Sequence, residues 1–526
     1  MARLSSKFAV GTAAAIAFAH ATAAIQLDTK DTNSIKSAAG EVVKGLYVFH
    51  NEAATTGQFN QIQPWYWWLS GSGWTGIMDY IVYTKDTTHK ADLMSALSKN
   101  VGPNFDFSPP SQAGWEANDD LAYWLYAALT AMEYEFDTLP GAPTWDVIAT
   151  NVFNLFVERW NIDIETCNGG LKWQYNPKAN GWTYKNAVSN GAFFQTAARL
   201  ARYTGNQTFA DWATKIWDWS ASTGLVSDTY HVYDGASDDK GANCSQVNKV
   251  EWSYNIATYI HGAAHMYNFT NGDTTWEQRV SGLVGTAAST FFKPAKTGIM
   301  FEQNCEPNHS CTTDQTSFKA SLSRWLGKTA IIVPSLQSTI VPLLEQSAAG
   351  AAQSCVGYGN STCGLSWTGT GFDGQTDFGV ELSALETIQS LLVFGAPAPA
   401  IAANRPPPTT TTSKSAPATS TKPASTEMPT TTSSASAVAT SDATTIATSV
   451  GTTKAESSPA TSTQAANTNP PATTVANTAA TSIATTFATS VGTGLADSYP
   501  TASVGPSTTR RPGCAKKRSA RAQARS

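Results

Sequence analysis

Apolar residues recur at steps of three and four positions along most of the chain up to residue 394. Such runs are typical of helices that bury one face. Strand-like alternation of Val, Ile or Thr with polar residues is scarce. The pattern therefore predicts an all-α fold. Its clearest runs are Ile35, Ala38, Ala39, Val42, Val43, Leu46 and Phe49; Leu121, Trp124, Leu125, Ala128, Leu129 and Met132; and Ile256, Tyr259, Ile260, Ala263 and Tyr267.

The ends of these runs repeat. Tyr83, Tyr134, Tyr203 and Tyr267 each close an apolar run shortly before the next begins. Their spacing of roughly 50 to 70 residues is enough for a pair of helices with its loops. Successive helical hairpins stack into an open solenoid or close into a ring, and a single secreted domain of this size favours closure into an α/α barrel. Loops at one end of such a ring form a cleft.

The first 23 residues have the features of a secretory signal peptide. Arg3 and Lys7 form a basic start, Phe8–Ala19 is apolar, and Ala21-Thr22-Ala23 offers small residues for cleavage. We therefore expect residues 1–23 to be removed and the remaining chain to be secreted.

Composition changes sharply at Asn404–Pro408, after which Thr, Ser, Ala and Pro dominate. Such a segment cannot bury enough apolar surface to fold. We expect a folded domain at 24–394, a disordered Ser/Thr/Pro-rich stalk at 395–509 and a basic tail at 510–526. The tail has no hydrophobic segment of the kind that directs lipid anchoring, so membrane association is expected only with an anchor that this C-terminus does not encode.

Charged residues make up only 14 % of the chain, and the formal net charge is -5. Many of the basic residues lie in the C-terminal tail, so the body of the chain is more acidic than the total. An acidic surface repels phosphate backbones, which argues against a nucleic-acid partner. A neutral substrate fits this composition better.

The seven cysteines comprise six in the expected domain and Cys514 in the tail. An even number in an oxidising compartment predicts three disulfides rather than a metal site, since none has paired C-x-x-C spacing. The short separations suggest a bridge between Cys305 and Cys311 and another between Cys355 and Cys363. That leaves Cys167 with Cys244.

Asn-x-Ser/Thr sequences predict N-glycosylation, which requires an exposed backbone. A fifth match at Asn243 is discounted because its middle residue is Cys244. The candidate sites are Asn206, Asn268, Asn308 and Asn360.

The segment Trp115 to Asp120 directly precedes the helix that begins near Leu121. Asn118 or Asp119 could simply cap that helix, with Asp120 in its first turn, because acidic and amide side chains stabilise helix N-termini. Alternatively, the two adjacent carboxylates could cleave a glycosidic bond. Retaining glycosidases place a nucleophile and an acid/base about 5 to 5.5 Å apart, and inverting ones separate the two carboxylates by about 6.5 to 9.5 Å. Adjacent residues at a helix start favour the shorter separation.

Aromatic residues cluster in the expected loops and helix starts, and sugars pack their C–H faces on such rings. For any single Trp, burial in the core is the commoner outcome. The clusters are Trp65 to Trp68, Trp74, Trp173, Trp182 to Tyr184 and Trp252 to Asn255.

Several motifs, in this order, resemble glycoside hydrolase family 76, and in particular its fungal cell-wall branch. The resemblance extends from about Leu27 to Phe394. The motifs are Asn118-Asp119-Asp120, Tyr184-Lys185-Asn186 with Asn190-Gly191, Ala198 to Asn206, Val232-Tyr233-Asp234-Gly235 and Trp252-Ser253-Tyr254-Asn255.

The resemblance implies an (α/α)6 barrel that acts with retention on α-1,6-linked mannose. Asp119 is then the nucleophile and Asp120 the acid/base. The family contains endo-α-1,6-mannanases, and its fungal branch implies transglycosylation from a glycolipid-anchor glycan to wall β-glucan, at the cell wall or the extracellular face of the plasma membrane. The substrate-binding candidates are Trp74, Trp115, Asn118, Asn186, Asp234, Tyr254 and Asn255.

Two other classes remain open from the sequence: a non-catalytic glycan-binding wall protein and a structural mannoprotein. No cofactor or metal is expected. His261 and His265 have the spacing of a zinc-protease motif, but Gly262 stands where the catalytic Glu would be.

Overall fold

The inner wall of the fold is a ring of α-helices. The computed structural model describes residues 24–403 except 115, 240, 293–296 and 358–361. These residues form twelve α-helices: α1 (Thr32–Tyr47), α2 (Trp67–Thr84), α3 (Lys90–Asn100), α4 (Asn118–Glu133), α5 (Trp145–Ile162), α6 (Ala187–Thr204), α7 (Gln207–Ser222), α8 (Ser253–Phe269), α9 (Thr274–Phe291), α10 (Phe318–Ile332), α11 (Gln337–Ser354) and α12 (Phe378–Gln389).

Burial alternates along this series. The even-numbered helices are buried on nearly all sides, whereas the odd-numbered helices bury one face only. Each even-numbered helix packs on the next, and α12 packs on α2, so the inner ring closes. The outer helices cover it. The predicted (α/α)6 barrel is confirmed.

The tyrosine repeat marks the C-terminal ends of inner helices. Tyr83 and Tyr203 lie in the last turns of α2 and α6, Tyr134 directly follows α4, and Tyr267 lies in the last turn of α8. The sequence period therefore corresponds to one inner and one outer helix. Left-handed residues stop two of these helices, with φ of 67° at Lys85 and 72° at Gly205.

A small antiparallel sheet lies between helices at the N-terminal end of the ring. Its strands are β1 (Tyr184–Asn186), β2 (Gly235–Ser237) and β3 (Val247–Asn248), in the order β1-β2-β3. Asn186 pairs with Gly235, and Gly235 also pairs with Asn248. The register brings Asp234, which precedes β2, next to the start of α6.

Three disulfides join the loops, and their pairing follows the sequence prediction. Cys167 bonds to Cys244 across 77 residues. Two local bridges accompany it, Cys305–Cys311 and Cys355–Cys363. The long bridge ties the loop after α5 to the loop after β2.

The chain continues to pack on the domain beyond Phe394, the expected boundary. The Ala400 and Ala402 amides donate to the carbonyls of Glu133 and Tyr203, and Arg202 donates to the carbonyls of Pro399 and Ala400. The segment Phe378–Gly395 is apolar enough to cross a membrane by length and composition, yet 89 % of it is buried in the domain. The predicted signal peptide, most of the stalk and the basic tail lie outside the described residues.

Pairs of acidic and basic side chains lie in the centre of the ring. Arg324 Nη2 lies 2.6 Å from Glu386 Oε1, and Lys328 Nζ lies 2.8 Å from Asp79 Oδ1. On the neighbouring helices, Arg199 Nη2 lies 2.8 Å from Glu133 Oε2. All of these side chains are buried. Close pairing of opposite charges is what makes their burial tolerable.

The His261 and His265 rings lie in the same interior, with their Nε2 atoms 3.1 Å apart. Burial lowers the pKa of both histidines well below the usual value. The charge of Glu133 opposes this shift at His265, and nearby Arg and Lys side chains add to it at both rings. Both shifts favour the neutral imidazoles, so one Nε2–H donates a hydrogen bond to the other Nε2. Within the described part of the chain, no group of three or more His, Cys, Asp or Glu side chains is placed to hold a metal ion.

Candidate active site

A cavity of about 240 Å³ opens at the N-terminal ends of the inner helices. The starts of α2, α4, α6, α8 and α10 and the loops before them supply its walls. The lining residues are Trp68, Asp119, Asp120, Tyr123, Trp173, Tyr184, Asn186, Asp234, Trp252, Tyr254, Thr312, Asp314, Gln315 and Phe318.

A larger cavity of about 400 Å³ lies at the other end of the ring, around the C-terminal ends of α2 and α4. Two of its acidic side chains are paired with cations, Glu133 with Arg199 and Asp137 with Lys90. It lacks the adjacent carboxylates of the smaller cavity. Size therefore does not identify the reactive end, and the chemistry of the lining residues does.

Asp119 lies in the first turn of α4 and is 9 % exposed. Its Oδ1 atom is buried and has no hydrogen-bond partner among the described residues. Burial raises the pKa of Asp119 to about 7, and the nearby charge of Asp314 acts in the same direction. Donation to Asp119 from the Trp173 side chain opposes the increase. The side chain is thus poised between its acid and its carboxylate form near neutral pH.

Asp120 follows it on the helix and is fixed by the backbone. Its Oδ2 accepts the amide N–H of Ala117 at 2.8 Å, the second half of a capping-box arrangement. Burial, and then the charge of Asp119, raise the pKa of Asp120 well above its usual value. This shift favours the protonated form of Asp120. The N-cap is Ala117, rather than Asn118 or Asp119 as the sequence suggested.

Asp234 lies in the cavity wall beside the sheet, directly before β2. Its Oδ2 accepts the Tyr184 hydroxyl at 2.7 Å and the Asn248 amide at 3.3 Å. Burial raises the pKa of Asp234, and the hydrogen bonds oppose the increase. Asn186 caps α6 through Oδ1, which accepts the amide of Ser189. Both Asp234 and Asn186 line the cavity, as predicted.

Aromatic rings make up much of the remaining wall. Tyr254 stacks on Phe318 with their ring centres 3.8 Å apart and their planes 6° apart. Trp68 packs against Tyr123 at 4.5 Å. Trp173 and Trp252 line the same cavity. Flat apolar faces beside hydrogen-bonding groups are the surface that a sugar ring requires.

Three of the residues predicted to bind substrate do not line the cavity. Trp74 lies in the middle of α2, is fully buried, and donates Nε1 to the Gly57 carbonyl. Asn118 is buried and does not line the cavity, because its amide donates to the Lys172 carbonyl and its Oδ1 accepts from Arg159.

Asn255 is also buried behind the wall, where its Nδ2 lies 3.5 Å from Asp234 Oδ1. It supports a lining residue and does not line the cavity itself. Trp115 lies outside the described residues. Tyr254 is where the sequence placed it, at the start of α8 and in the cavity wall.

Asp314 is the site residue that sequence reasoning missed most clearly. It precedes α10, accepts Trp68 Nε1 at 3.2 Å, and lines the cavity with the aspartate pair. The loop before each inner helix contributes to this end of the ring. Applying that rule to the segment before Phe318 would have identified Thr312, Asp314 and Gln315.

The described candidate glycosylation residues are exposed. Asn206 caps α7, Asn268 lies near the end of α8, and Asn308 lies in a short 3-10 helix. Exposure meets the steric requirement, and their modification stays a prediction. Asn360 lies outside the described residues.

A ring of paired helices with two adjacent carboxylates in an aromatic cavity defines a glycosidase-type protein. The profile of "Glycosyl hydrolase family 76" matches residues 34–403. The chain belongs to glycosyl hydrolase family 76.

Relatives and solved structures support this assignment. The chain is 40 % identical to "Mannan endo-1,6-alpha-mannosidase DCW1" of Saccharomyces cerevisiae over 390 residues, covering 73 % of this chain and 84 % of the relative. A crystal structure of Dfg5 from Chaetomium thermophilum in complex with glucosamine has a TM-score of 0.66 at 34 % identity, covering 71 % and 94 % of the two chains.

A more distant structure shares the fold. An inactive variant of an alpha-1,6-mannanase from Salegentibacter sp., in complex with alpha-1,6-mannotetrose, has a TM-score of 0.56 at 16 % identity. The alignment covers 68 % of this chain and 98 % of that one. The folds of these two structures agree with the ring of helices described above, and the aligned regions cover about 70 % of this chain.

Proposed function

We propose that the protein is a retaining endo-α-1,6-mannosidase or transglycosidase that uses Asp119 and Asp120. The observation that carries the proposal is that these adjacent carboxyl groups both line one aromatic cavity. The names of the fungal relatives give the bond type. Secretion to the cell wall or the extracellular face of the plasma membrane, and a β-glucan acceptor, are part of the proposal.

The first step breaks the bond between the anomeric carbon and the glycosidic oxygen. Asp120 donates its proton to that oxygen, and the Asp119 carboxylate forms a bond to the anomeric carbon. The raised pKa of Asp120 keeps the proton available. The carboxylate Oδ1 of Asp119 has no protein hydrogen bond to lose among the described residues, which suits a nucleophile.

The second step reverses the roles. Asp120, now ionised, takes a proton from an incoming hydroxyl group as its oxygen bonds to the anomeric carbon and the Asp119 ester breaks. Water as acceptor gives hydrolysis. A sugar hydroxyl gives transfer, and the Trp and Tyr walls offer rings on which an acceptor sugar can stack. Two inversions at the same carbon give net retention.

Incubation with α-1,6-mannotetraose, with and without a β-glucan oligosaccharide, tests the proposal. We expect cleavage or transfer with retained anomeric configuration, lost in Asp119→Asn and Asp120→Asn. Binding of the glycan by wild type without any product would support the glycan-binding alternative and overturn catalysis. No binding and no product would leave a structural wall protein. Transfer products that form only with glucan present identify the acceptor.

A further inference from the structure

The start of α8 is capped by a side chain from another part of the chain. Its N-cap is Trp252, whose own side chain makes no capping hydrogen bond. Glu302, in the loop after α9, accepts the Ser253 amide N–H at 3.3 Å and also the Ser253 hydroxyl. Glu302 and Ser253 are fully buried, and neither is among the described lining residues of the cavity. Trp252 and Tyr254, on either side of Ser253, do line it.

The same loop is joined to the start of α10. The Glu302 amide N–H donates to Glu306 Oε1 at 2.9 Å, and Lys319 Nζ lies 2.8 Å from that oxygen. Lys319 directly follows Phe318, which lines the cavity and stacks on Tyr254. Glu306 and Lys319 are buried too. A buried chain of polar contacts therefore connects the two helix starts whose rings stack in the cavity wall.

The charge state of Glu302 makes its hydrogen bonding separable from its charge. Burial raises the pKa of Glu302 to about 8; the hydrogen bond from the Ser253 side chain opposes the increase, and the charge of Glu306 adds to it. The protonated form is therefore favoured at neutral pH, and it keeps one oxygen that accepts from Ser253. A Gln side chain has the same shape and also keeps one acceptor oxygen, whereas Ala has none.

We propose that Glu302 is a positioning residue that fixes the aromatic wall formed by Trp252, Tyr254 and Phe318. The inference rests on the proposed function and explains how that site holds its glycan. Without Glu302, the Ser253 N–H and hydroxyl lose their acceptor in a buried place, so the first turn of α8 shifts to find another. The Tyr254 ring moves with that turn and its stack on Phe318 loosens. Glycan binding weakens, whereas the carboxyl groups at the start of α4 keep their places.

Steady-state kinetics on α-1,6-mannotetraose test the inference. We expect Glu302→Ala to raise KM about tenfold and to change kcat by less than about twofold, because the wall holds the ground state and the transition state alike. Glu302→Gln keeps the acceptor and should stay within about twofold of wild type in both constants. An unchanged KM in Glu302→Ala overturns the positioning role. An equal rise in the Gln and Ala variants overturns the part assigned to the hydrogen bonds.

Glu381→Ala is the matched control. Burial raises the pKa of Glu381 to about 8 as well, and its carboxyl group accepts a backbone N–H from Cys363 and a hydroxyl from Thr376. It is not among the described lining residues of the cavity. We expect thermal unfolding to show a loss of stability in both Ala variants, with a change in KM only in Glu302→Ala. A similar rise of KM in Glu381→Ala overturns the inference, since any loss of stability would then suffice.

Ser253→Ala tests the partner and stays informative where Glu302→Ala fails to fold. It removes the hydroxyl and keeps the amide, so we expect KM to rise by about threefold with little change in kcat. Adding Ser253→Ala to Glu302→Ala should raise KM no further, because the hydroxyl has already lost its acceptor. An unchanged KM in the single variant, or effects that multiply in the double variant, overturn the inference.

Direct binding separates this inference from the proposed function. Titration calorimetry with α-1,6-mannotetraose in the Asp119→Asn background, where no turnover is expected, should show Kd rising with Glu302→Ala as KM does. Wild-type cleavage with an unchanged Kd in the Glu302→Ala background overturns the positioning role and leaves the mannosidase intact. Failure of wild type both to cleave and to bind the glycan overturns the proposed function and the positioning role with it.

Discussion

Asp120 accepts the amide N–H of Ala117 at 2.8 Å through one carboxylate oxygen, so the same side chain completes the start of α4 and lines the cavity. Capping and proton transfer, which the sequence presented as alternatives, are compatible here. The backbone bond fixes the carboxyl group on the helix. The second oxygen is left to carry the proton.

Substitution of Asp120 separates these two tasks. Asp120→Asn keeps an oxygen that accepts from Ala117 but carries no transferable proton, so we expect near wild-type stability and a loss of about 10²- to 10⁴-fold in kcat. Asp120→Ala should lose the activity and also about 1 kcal/mol of stability. Thermal unfolding and mannotetraose turnover measure the two effects. An aryl mannoside whose leaving group needs no protonation should restore the first step in Asp120→Asn, and failure to do so would contradict the acid role.

The buried Asp119 makes stability depend on pH. Its folded pKa of about 7 exceeds the unfolded value of about 4, so the folded state binds the proton more tightly. The contribution of Asp119 to folding stability is therefore most favourable at low pH. It becomes increasingly unfavourable as the pH rises from the unfolded pKa of about 4 to the folded pKa of about 7. The Asn side chain in Asp119→Asn cannot ionise, so this variant does not lose stability in that pH range.

We expect the stability of Asp119→Asn relative to wild type to increase by about 2.6 kcal/mol between pH 5 and pH 8. Urea unfolding of both proteins at the two pH values, with disulfides intact, measures it. The variant should be inactive at either pH. A stability difference that is the same at both values would show that Asp119 is not buried as a titrating acid.

Features of this site that depend on residues close together in the chain can be predicted from the sequence, and features that depend on remote residues cannot. The three- and four-residue period predicts the helices, and Asp119 and Asp120 are adjacent, so a single helix start brings them together. Asp314 is remote from them in the chain. Only closure of the ring, through contacts between inner helices, brings it to the same cavity.

Tertiary packing also explains why Trp74 and Asn118 do not line the cavity. Trp74 was expected near sugar, but its neighbours Phe59 and Gly57 come from the preceding loop, which folds back over α2. Asn118 has the residue type of a sugar contact, yet Arg159 and the Lys172 carbonyl, from other segments, take its polar atoms. Composition indicates which residues could bind sugar. Tertiary packing decides which remain available.

The pair of Arg324 and Glu386 in the ring interior should be strongly coupled. Both are buried, so Arg324→Met or Glu386→Met alone leaves a charge without its closest partner and should cost about 3 to 5 kcal/mol. The double variant should cost less than the sum of the two, because the remaining Asp79 and Lys328 still pair with each other. Chemical unfolding of all four proteins gives the coupling energy.

The exposed pair of Lys44 and Glu41 provides the comparison. Their side chains are 72 % and 45 % exposed, so solvent screens the attraction. Removing either should change stability by less than about 1 kcal/mol. Additive losses for the interior pair, or a surface effect of equal size, would show that the interior charges do not act as a unit.

Close packing of α6 against α8 should depend on Gly191. A Cβ there would lie 2.0 Å from Thr258 Oγ1 and 2.7 Å from a Tyr259 ring carbon. Gly191→Ala should therefore force the inner helices apart and cost about 2 kcal/mol or more. Gly285 in α9 is a matched control, since a Cβ there meets no atom within 4 Å. Gly285→Ala should raise stability by about 0.5 to 1 kcal/mol through better helix propensity. Melting curves of the two variants test the contrast, and similar shifts in both would contradict a steric limit at the inner ring.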